Sequence, residues 1–219
     1  AFDEAAQQFG ITVQRIDGRT AEQVQRSFAA ADVFCSLSDN IQETFGLTPI
    51  EAMAAGLPCI LSDWNGYRET AIHGEHGFLI ATQMPNRVGF ESIEQGFADG
   101  TLNYDHYIGH VHALTSVDIE SAAQALATLI EQPQLRQRMG QAGRQHARQN
   151  FDWEQVIQRY DELWCEQQAQ QQTQPQARLP RIFSSRLSPA DLFGHYPSQV
   201  LQPDTPLYRQ EWPGVYTAK

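Results

Sequence analysis

The sequence has few cysteines and no long apolar run. Its 219 residues include three cysteines, Cys35, Cys59 and Cys165, which are widely spaced and form no CxxC pair. This spacing predicts neither a disulfide framework nor a zinc site. It favours a reducing compartment in which the thiols are small buried groups. Because no stretch of about 18 apolar residues occurs, no membrane-spanning helix is predicted.

Basic residues are also scarce, which argues against two classes of partner. Lys and Arg number 15 against 26 Asp and Glu, so the net charge is -11. A field of that sign disfavours nucleic acid and anionic membrane surfaces. The first ten residues lack the basic start and apolar core of a signal peptide, and they are typical of a helix that ends at Gly10. We therefore expect a cytoplasmic protein, and we expect this sequence to begin inside a larger chain.

Alternating strands and helices are the main pattern that the sequence does contain. Short apolar runs typical of strands lie at 11–16, 32–37, 58–62 and 77–81. A helix is predicted over 20–31, with Thr20 as its N-cap, and another is predicted to end at Gly56. Strands separated by helices predict an α/β fold with a parallel sheet and flanking helices.

The second half of the sequence departs from this alternation. Residues 82–117 contain glycines but no clear period, and we interpret them as an inserted loop region. Helices follow, the first with apolar residues at helical spacing: Ile119, Ala122, Leu126 and Ile130. The last helix opens near Asp152 and carries a large apolar stripe, which we expect to pack against the sheet. The stripe consists of Trp153, Ile157, Tyr160 and Trp164.

A change of composition near Cys165 predicts a domain boundary. Seven of the ten residues from Gln167 to Gln176 are glutamine, which is typical of a frayed helix end or a linker. The following residues combine prolines with scattered aromatics. They would either wrap over a surface or form a loosely ordered extension, and the sequence leaves both open. The predicted division is a domain over 1–165 and a linker with a tail over 166–219.

Two glutamates flank the start of a predicted helix in "NIQETFGLTPIEAMAAGLP", residues 40–58. Thr48 suits an N-cap, Pro49 suits the first helical position, and Glu51 three residues later completes a capping box. This interpretation is purely structural. It explains neither Glu43 nor the glycine turn at Gly46, so a ligand has to be considered.

A helix entered through a glycine turn at the carboxyl end of a parallel strand is suited to binding an anion. Its free N–H groups and its dipole attract phosphate, and ligands of open parallel sheets gather at that end of the strands. Carboxylates repel phosphate, so Glu43 and Glu51 should contact hydroxyl groups instead. Hydroxyl-rich groups on both sides of a diphosphate describe a nucleotide sugar.

The residues at 36–80, "SLSDNIQETFGLTPIEAMAAGLPCILSDWNGYRETAIHGEHGFLI", resemble the donor-binding half of family 4 retaining glycosyltransferases, which have the GT-B fold. The shared pattern is E-x7-E within E-x-F-G-[LI]-x-x-x-E-A-M-A-x-G-x-P. Asn65 and Gly66 replace the family's usual pair of glycines, and Glu69 stands in the matching place. The resemblance covers about 11–164, apart from the region 82–117. It implies the Rossmann-like C-terminal half of a GT-B fold, whose first strands lie outside this sequence.

The resemblance also implies a role for each matching residue. Glu43 would be the catalytic-site glutamate, which binds hydroxyls of the donor sugar near the reacting carbon. Glu51 would hold the nucleotide ribose, and Thr48 would add a hydroxyl at the diphosphate. Backbone N–H groups would bind the diphosphate at three successive residues, Phe45, Gly46 and Leu47.

By the same resemblance, the reaction is a metal-independent transfer of a sugar, with retention, from a nucleotide-diphosphate donor to a hydroxyl of a glycan or lipid-linked acceptor. No cofactor is expected. The family's Arg and Lys that grip the diphosphate, and its N-terminal acceptor domain, lie outside this sequence, so we expect a fragment that is inactive alone. The alternatives are a non-catalytic nucleotide-sugar-binding module and a UDP-sugar epimerase-like domain.

Three other groups of residues give weaker signals. His106 and His110 would share one face of a helix, a spacing that suits zinc, but a solvated histidine cluster is the favoured interpretation. Asp63 and Trp64 follow a strand, where a turn explains them as well as a ligand does. Arg68 is expected to form a local ion pair with Glu69.

Overall fold

The computed structural model describes residues 2–86, 89–173, 188–202 and 204–206. The described helices are α1 Phe2–Gln8, α2 Ala21–Ala30, α3 Leu47–Ala55, α4 Tyr67–Thr70, α5 Glu91–Ala98, α6 Tyr104–Ala113, α7 Ile119–Glu131, α8 Pro133–Asn150, α9 Trp153–Thr173 and α10 Pro189–Phe193. The described strands are β1 Phe34–Ser36, β2 Cys59–Ser62, β3 Gly77–Ile80, β4 Thr82–Pro85, β5 Ser116–Val117 and β6 Gln199–Leu201.

A parallel sheet in the order β1-β2-β3 forms the centre of the fold. Cys59 of β2 pairs with Phe34 of β1 on one side and with Gly77 of β3 on the other. The strands predicted over 32–37, 58–62 and 77–81 are thereby confirmed. The predicted class is confirmed as well, because helices flank this sheet in the Rossmann-like manner expected for the C-terminal half of a GT-B fold.

The middle strand is buried on both faces, as its apolar sequence predicts. Successive side chains of a strand point to opposite faces. Cys59 and Leu61 pack with Met53 of α3, whereas Ile60 packs with Ala125 and Leu129 of α7. The sheet is therefore enclosed between two layers of helices.

Close packing of α3 against α8 fixes one of these layers. Helix α3 ends at Ala55, one residue before the predicted end. Gly56 is its C-cap, with the left-handed φ of 88° that favours glycine. Gly140 of α8 lies directly against the Gly56 carbonyl, so that a Cβ at Gly140 would overlap the carbonyl oxygen. The absence of a side chain at Gly140 thus lets α8 approach the end of α3.

The prediction of a strand over 11–16 is wrong. These residues adopt neither helix nor strand, and all of them are exposed. Although their apolar spacing suits a strand, β1 pairs only with β2 among the described strands. Without a neighbouring strand the backbone groups of 11–16 have no ladder to join. The following helix is confirmed as α2, with the Thr20 side chain accepting a hydrogen bond from the Gln23 N–H.

The prediction of a loop over 82–117 is also wrong. This region folds into β4, α5, α6 and β5, which pack in a second core together with other segments of the chain. A second sheet has the order β5-β4-β6. The buried residues of this core come from several parts of the chain: Ile41, Trp64, Met84, Phe90, Ile93, Tyr107, Ile108, Val111 and Tyr196. Because its members are so far apart in sequence, no local period reveals the core.

The final helices form as predicted, but their burial differs from expectation. In α7 the buried residues are Ala122, Ala125 and Leu129, while Ile119 and Ile130 are exposed. In α9 the apolar stripe does not pack against the sheet. The exposed fractions are 76% for Trp153, 55% for Ile157, 51% for Tyr160 and 59% for Trp164. Periodicity located the helix but not its buried face, since that depends on which neighbour it meets.

Helix α9 continues through much of the glutamine run and ends at Thr173. Further along, α10 and β6 lie against the rest of the molecule, and β6 pairs in parallel with β4. Residues 174–187, 203 and 207–219 of the predicted linker and tail lie outside the described residues, and the domain division stays a prediction. Among the described helices, none combines the length and apolar character needed to cross a bilayer.

The substitution Gly140→Ala tests the contact between α3 and α8. We expect it to lower the free energy of unfolding by about 1–3 kcal/mol, because the added methyl group would force the two helices apart. Urea unfolding followed by circular dichroism measures this change. Gly109→Ala in α6 is the matched control: a Cβ there meets nothing within 4 Å, so the replacement should stabilise by about 0.5–1 kcal/mol. Equal effects would contradict the proposed packing.

Candidate functional site

The acidic loop, residues 37–46, connects β1 to α3 at the carboxyl end of a parallel strand. Ligands of open α/β sheets bind at that end of the strands. Glu43 is half-buried in this loop. Its carboxylate lies beside Gly46, where Oε1 would be 3.3 Å from an added Cβ. The loop thus brings a carboxylate next to the amino end of α3.

Helix α3 begins earlier than the capping box predicts, so that prediction is wrong. Leu47 is its first residue and Gly46 is its N-cap, with φ 75° and no side chain to cap the helix. Thr48 therefore lies inside the first turn. Pro49 fits there because the first-turn N–H groups lack intrahelical partners in any case. A capping role consequently does not account for Glu51.

The other predicted site residues are accessible around this helix end. The exposed fractions are 39% for Phe45 and 67% for Leu47, and Thr48 and Glu51 are exposed as well. The first turn of α3 contains no acidic side chain. The positive end of the helix dipole therefore faces outward, with Glu43 on one side and Glu51 one turn further along.

Tyr67 was not predicted, yet its ring supports the turn at Gly46. It is 2% exposed, and a Cβ at Gly46 would overlap its ring. The phenol oxygen lies 2.9 Å from Oγ of Ser36 at the end of β1. Burial raises the pKa of Tyr67, the Ser36 hydrogen bond opposes this change, and the negative charge of Glu43 adds to it. The hydroxyl next to Glu43 is therefore neutral.

A second loop supports the acidic loop from behind. The supporting turn, residues 63–66, follows β2 at the same edge of the sheet. A Cβ at Gly66 would overlap the carbonyl oxygen of Thr44, so the two loops are in backbone contact. This contact gives the physical reason why a side chain cannot be accommodated at Gly66.

Two side chains of the supporting turn donate hydrogen bonds to the acidic loop. The Trp64 indole N–H lies 3.1 Å from the Asn40 carbonyl oxygen. The Asn65 side-chain amide lies 3.3 Å from the Glu43 carbonyl oxygen. Asn65 has a left-handed φ of 37°, which asparagine tolerates better than most residues do. The sequence signal for Trp64 and Asn65 was their place after the predicted strand 58–62. In a parallel sheet, the turn after that strand lies beside the loop that follows the neighbouring strand.

The expected ion pair between Arg68 and Glu69 is not formed. The Arg68 guanidinium is instead paired with the Asp63 carboxylate, and Glu69 is exposed. Trp64 is fully buried, so it cannot contact a ligand. Asp63 and Trp64 therefore have structural roles in the turn.

A row of four rings leads from the acidic loop into the interior. The centroid distances are 6.1 Å from Phe45 to Phe151, 5.6 Å from Phe151 to His146, and 4.3 Å from His146 to His76. His76 is 4% exposed, and its Nδ1 accepts a hydrogen bond from the Ile72 N–H. Burial lowers the pKa of His76, and the neighbouring His146 lowers it further.

The histidines predicted as a weak metal candidate lie on α6. His106 and His110 are exposed, and Nδ1 of His112 lies 2.8 Å from the Asp39 carboxylate. Burial raises the pKa of Asp39, whereas His112 lowers it. Within the described ranges, no group of three or more His, Cys, Asp and Glu side chains is placed to hold a metal ion.

The cysteines fit their expected role only in part. Cys59 is buried, and burial raises its pKa to about 12. Cys35 and Cys165 are exposed, so the expectation that all three thiols are buried is wrong for these two. The sequence shows their spacing but not the face on which each lies.

Comparison with known proteins places this site in a family context. Residues 2–89 match the model of the family described as glycosyl transferases group 1. The matched segment includes the acidic loop, the supporting turn and all of α3.

Individual relatives agree with the family match. A D-inositol 3-phosphate glycosyltransferase of Corynebacterium efficiens is 29% identical over 154 residues, which cover 70% of this chain and 28% of the relative. A glycogen synthase of Mycobacterium tuberculosis is 26% identical over 140 residues, which cover 64% of this chain and 25% of the relative. An N-acetyl-alpha-D-glucosaminyl L-malate synthase of Bacillus anthracis is 34% identical over 73 residues, which cover 33% of this chain and 19% of the relative. The matched segments thus span between 19% and 28% of the length of these relatives.

The substitution Gly46→Ala tests the packing of Tyr67 under the acidic loop. We expect the free energy of unfolding to fall by more than about 1–2 kcal/mol, the usual cost of a left-handed conformation, because ring overlap adds to backbone strain. Gly74→Ala is the matched control: its φ is 81°, but a Cβ there meets nothing within 4 Å. Urea unfolding of both variants isolates the overlap. A loss no larger at Gly46 than at Gly74 would be inconsistent with the described contact.

The buried His76 predicts a loss of stability in acid. Its pKa in the folded state lies below the ordinary value of 6.5, so the unfolded chain binds more protons below that pH. Stability is therefore complete above about pH 6.5 and falls as the pH drops towards the folded-state pKa.

Urea unfolding at about pH 7.5 and about pH 5.5 measures this dependence. In His76→Asn, whose amide oxygen can still accept the Ile72 N–H, the difference between the two pH values should shrink. His110→Asn replaces an exposed histidine and should leave it unchanged. If the His76 variant has the same pH dependence as the wild type, the buried imidazole is not its source.

Proposed function

We propose that the acidic loop and the start of α3 bind a nucleotide-diphosphate sugar, and that the chain is the donor-binding part of a family 4 retaining glycosyltransferase of the GT-B fold. The observation that carries this proposal is the uncapped amino end of α3, entered at Gly46 with φ 75°, beside the half-buried carboxylate of Glu43. The match of residues 2–89 to group 1 glycosyl transferases supports it.

The diphosphate occupies the amino end of α3. There the N–H groups of Phe45, Gly46 and Leu47 and the hydroxyl of Thr48 meet it, and the helix dipole favours its charge. Glu43 accepts hydrogen bonds from hydroxyls of the donor sugar, and Glu51, one turn further along α3, accepts them from the ribose. Both carboxylates thereby bind neutral hydroxyls rather than the anionic diphosphate.

The reaction is sugar transfer with retention of configuration. An acceptor hydroxyl attacks the anomeric carbon from the face that the diphosphate leaves. Hydrogen-bonding N–H groups that already point towards the departing diphosphate stabilise the charge that develops on it. Such stabilisation is commonly the largest contribution to catalysis. With this charge met by N–H groups, the transfer needs no metal ion.

The acceptor side of the reaction belongs to segments that this sequence does not contain. Relatives such as the Corynebacterium efficiens protein are matched over 28% of their length. We therefore expect weak donor binding by the 219 residues, and we expect turnover only from an intact protein with an acceptor domain. Turnover by the 219 residues alone would contradict the assignment of a donor-binding part.

The substitution Glu43→Gln tests the site. We expect it to weaken binding of UDP-glucose or GDP-mannose, whichever the wild-type chain binds, by about ten- to a hundredfold, because hydrogen bonds to a charged acceptor contribute about 1.5–3 kcal/mol. Isothermal titration calorimetry measures the affinity for each of the two donors.

Glu131→Gln is the matched control, since it removes the same charge from an exposed position on α7. Equal affinities of Glu43→Gln and the wild type would refute the assigned role of Glu43. Donor binding without any transfer by the intact protein would favour a non-catalytic binding module.

A further inference from the structure

The C-terminal segment, residues 188–202, lies against the supporting turn, although it is far outside the family match. The carbonyl oxygen of Tyr196 accepts a hydrogen bond of 2.8 Å from the Asn65 N–H and another of 2.6 Å from the Arg68 guanidinium. The same guanidinium donates to the His195 carbonyl oxygen at 2.9 Å. Three hydrogen bonds thus join this segment to the residues directly behind the acidic loop.

The side chain of Tyr196 adds an aromatic contact to these hydrogen bonds. Its ring meets the Trp64 ring edge-on, with centroids 5.6 Å apart and an angle of 88°, and Tyr196 is 8% exposed. Ser198 anchors the following residues, since its N–H donates to Oγ1 of Thr82 at 3.1 Å and its hydroxyl accepts from the Thr82 N–H at 2.9 Å. The segment is therefore fixed on both sides of the turn contact.

Trp64 and Asn65 each contact both the C-terminal segment and the acidic loop. Trp64 packs on Tyr196 while its indole N–H donates to the Asn40 carbonyl. The backbone N–H of Asn65 donates to Tyr196 while its side chain donates to the Glu43 carbonyl. We propose that Tyr196 is a positioning residue for Glu43. Tyr196 acts through Trp64 and Asn65 and does not contact the donor sugar nucleotide.

The left-handed conformation of Asn65 explains why this support matters. Asparagine tolerates a left-handed φ better than most residues do, but Asn65 at φ 37° still relies on its surroundings to hold that conformation. The Tyr196 carbonyl fixes its backbone, and the ring of Tyr196 fixes the adjacent Trp64. Removal of that ring would loosen the Trp64 indole and the Asn65 amide, which donate hydrogen bonds to the carbonyls of Asn40 and Glu43.

The consequence for donor binding rests on the proposed function, whereas the ordering of the loop does not. The two are measured separately in the 219-residue chain. Hydrogen–deuterium exchange without any ligand reports the order of residues 37–46, and calorimetry with UDP-glucose and with GDP-mannose reports affinity. If the wild type binds neither donor, the proposed function fails at this site, and the exchange data still decide the role of Tyr196.

The test compares Tyr196→Ala and Tyr196→Leu with Tyr196→Phe. Exchange of the amides in residues 40–43 should become faster by about tenfold or more in the Ala and Leu variants, because local opening no longer breaks the ring contact. Donor affinity should fall by about tenfold or more, since a loop that is no longer held in place must be ordered when the donor binds. Phe should restore both, because the contacts use the ring and the backbone carbonyl.

Tyr104→Ala removes an exposed tyrosine of α6, 54% exposed, and should leave both measurements at wild-type values. Thermal unfolding shows which variants fold. If neither Ala nor Leu folds, the wild-type exchange pattern decides: residues 40–43 and 195–198 should open as one cooperative unit. Folded Ala and Leu variants with wild-type exchange, or separate opening of the two segments in the wild type, would overturn the proposal.

Discussion

The candidate site depends on the contact between Gly66 and the carbonyl of Thr44. Any side chain at Gly66 would overlap that oxygen, so the acidic loop and the supporting turn share one surface of backbone atoms. The Ser62 hydroxyl reinforces the contact by donating to the Ser38 carbonyl. With the loop fixed in this way, Glu43 and the amino end of α3 have a defined relative position before any ligand binds, and such preorganisation is what an anion-binding catalytic site requires.

The electrostatics of this region suit an anion despite the net charge of -11. The groups closest to the start of α3 are Glu43 and the phenol of Tyr67, and burial keeps that phenol protonated. A neutral hydroxyl adds no second negative charge beside the helix end. The attraction of this helix end for an anion therefore comes from N–H groups and the helix dipole. Under the proposed function, the carboxylates bind hydroxyl groups instead.

The region after β3 and the C-terminal segment are joined to the site through a shared core. Trp64 belongs to the buried cluster that contains Met84, Phe90 and Tyr196, and it also donates to the acidic loop. His112 of α6 reaches the same loop through Asp39. Elements outside the family match thus pack directly behind residues inside it.

The local sequence was sufficient for the strands of the central sheet, the E-x7-E segment and the approximate ends of most helices. These features follow from periodicity, from glycine conformation and from residue types within a short window. The tertiary structure alone decided that α3 begins at Leu47, that Tyr67 lies under Gly46, that 82–117 forms a second core, and that the α9 stripe is exposed. The physical reason is that burial and support come from partners distant in sequence: Trp64 and Tyr196 lie 132 positions apart, and no local pattern records their contact.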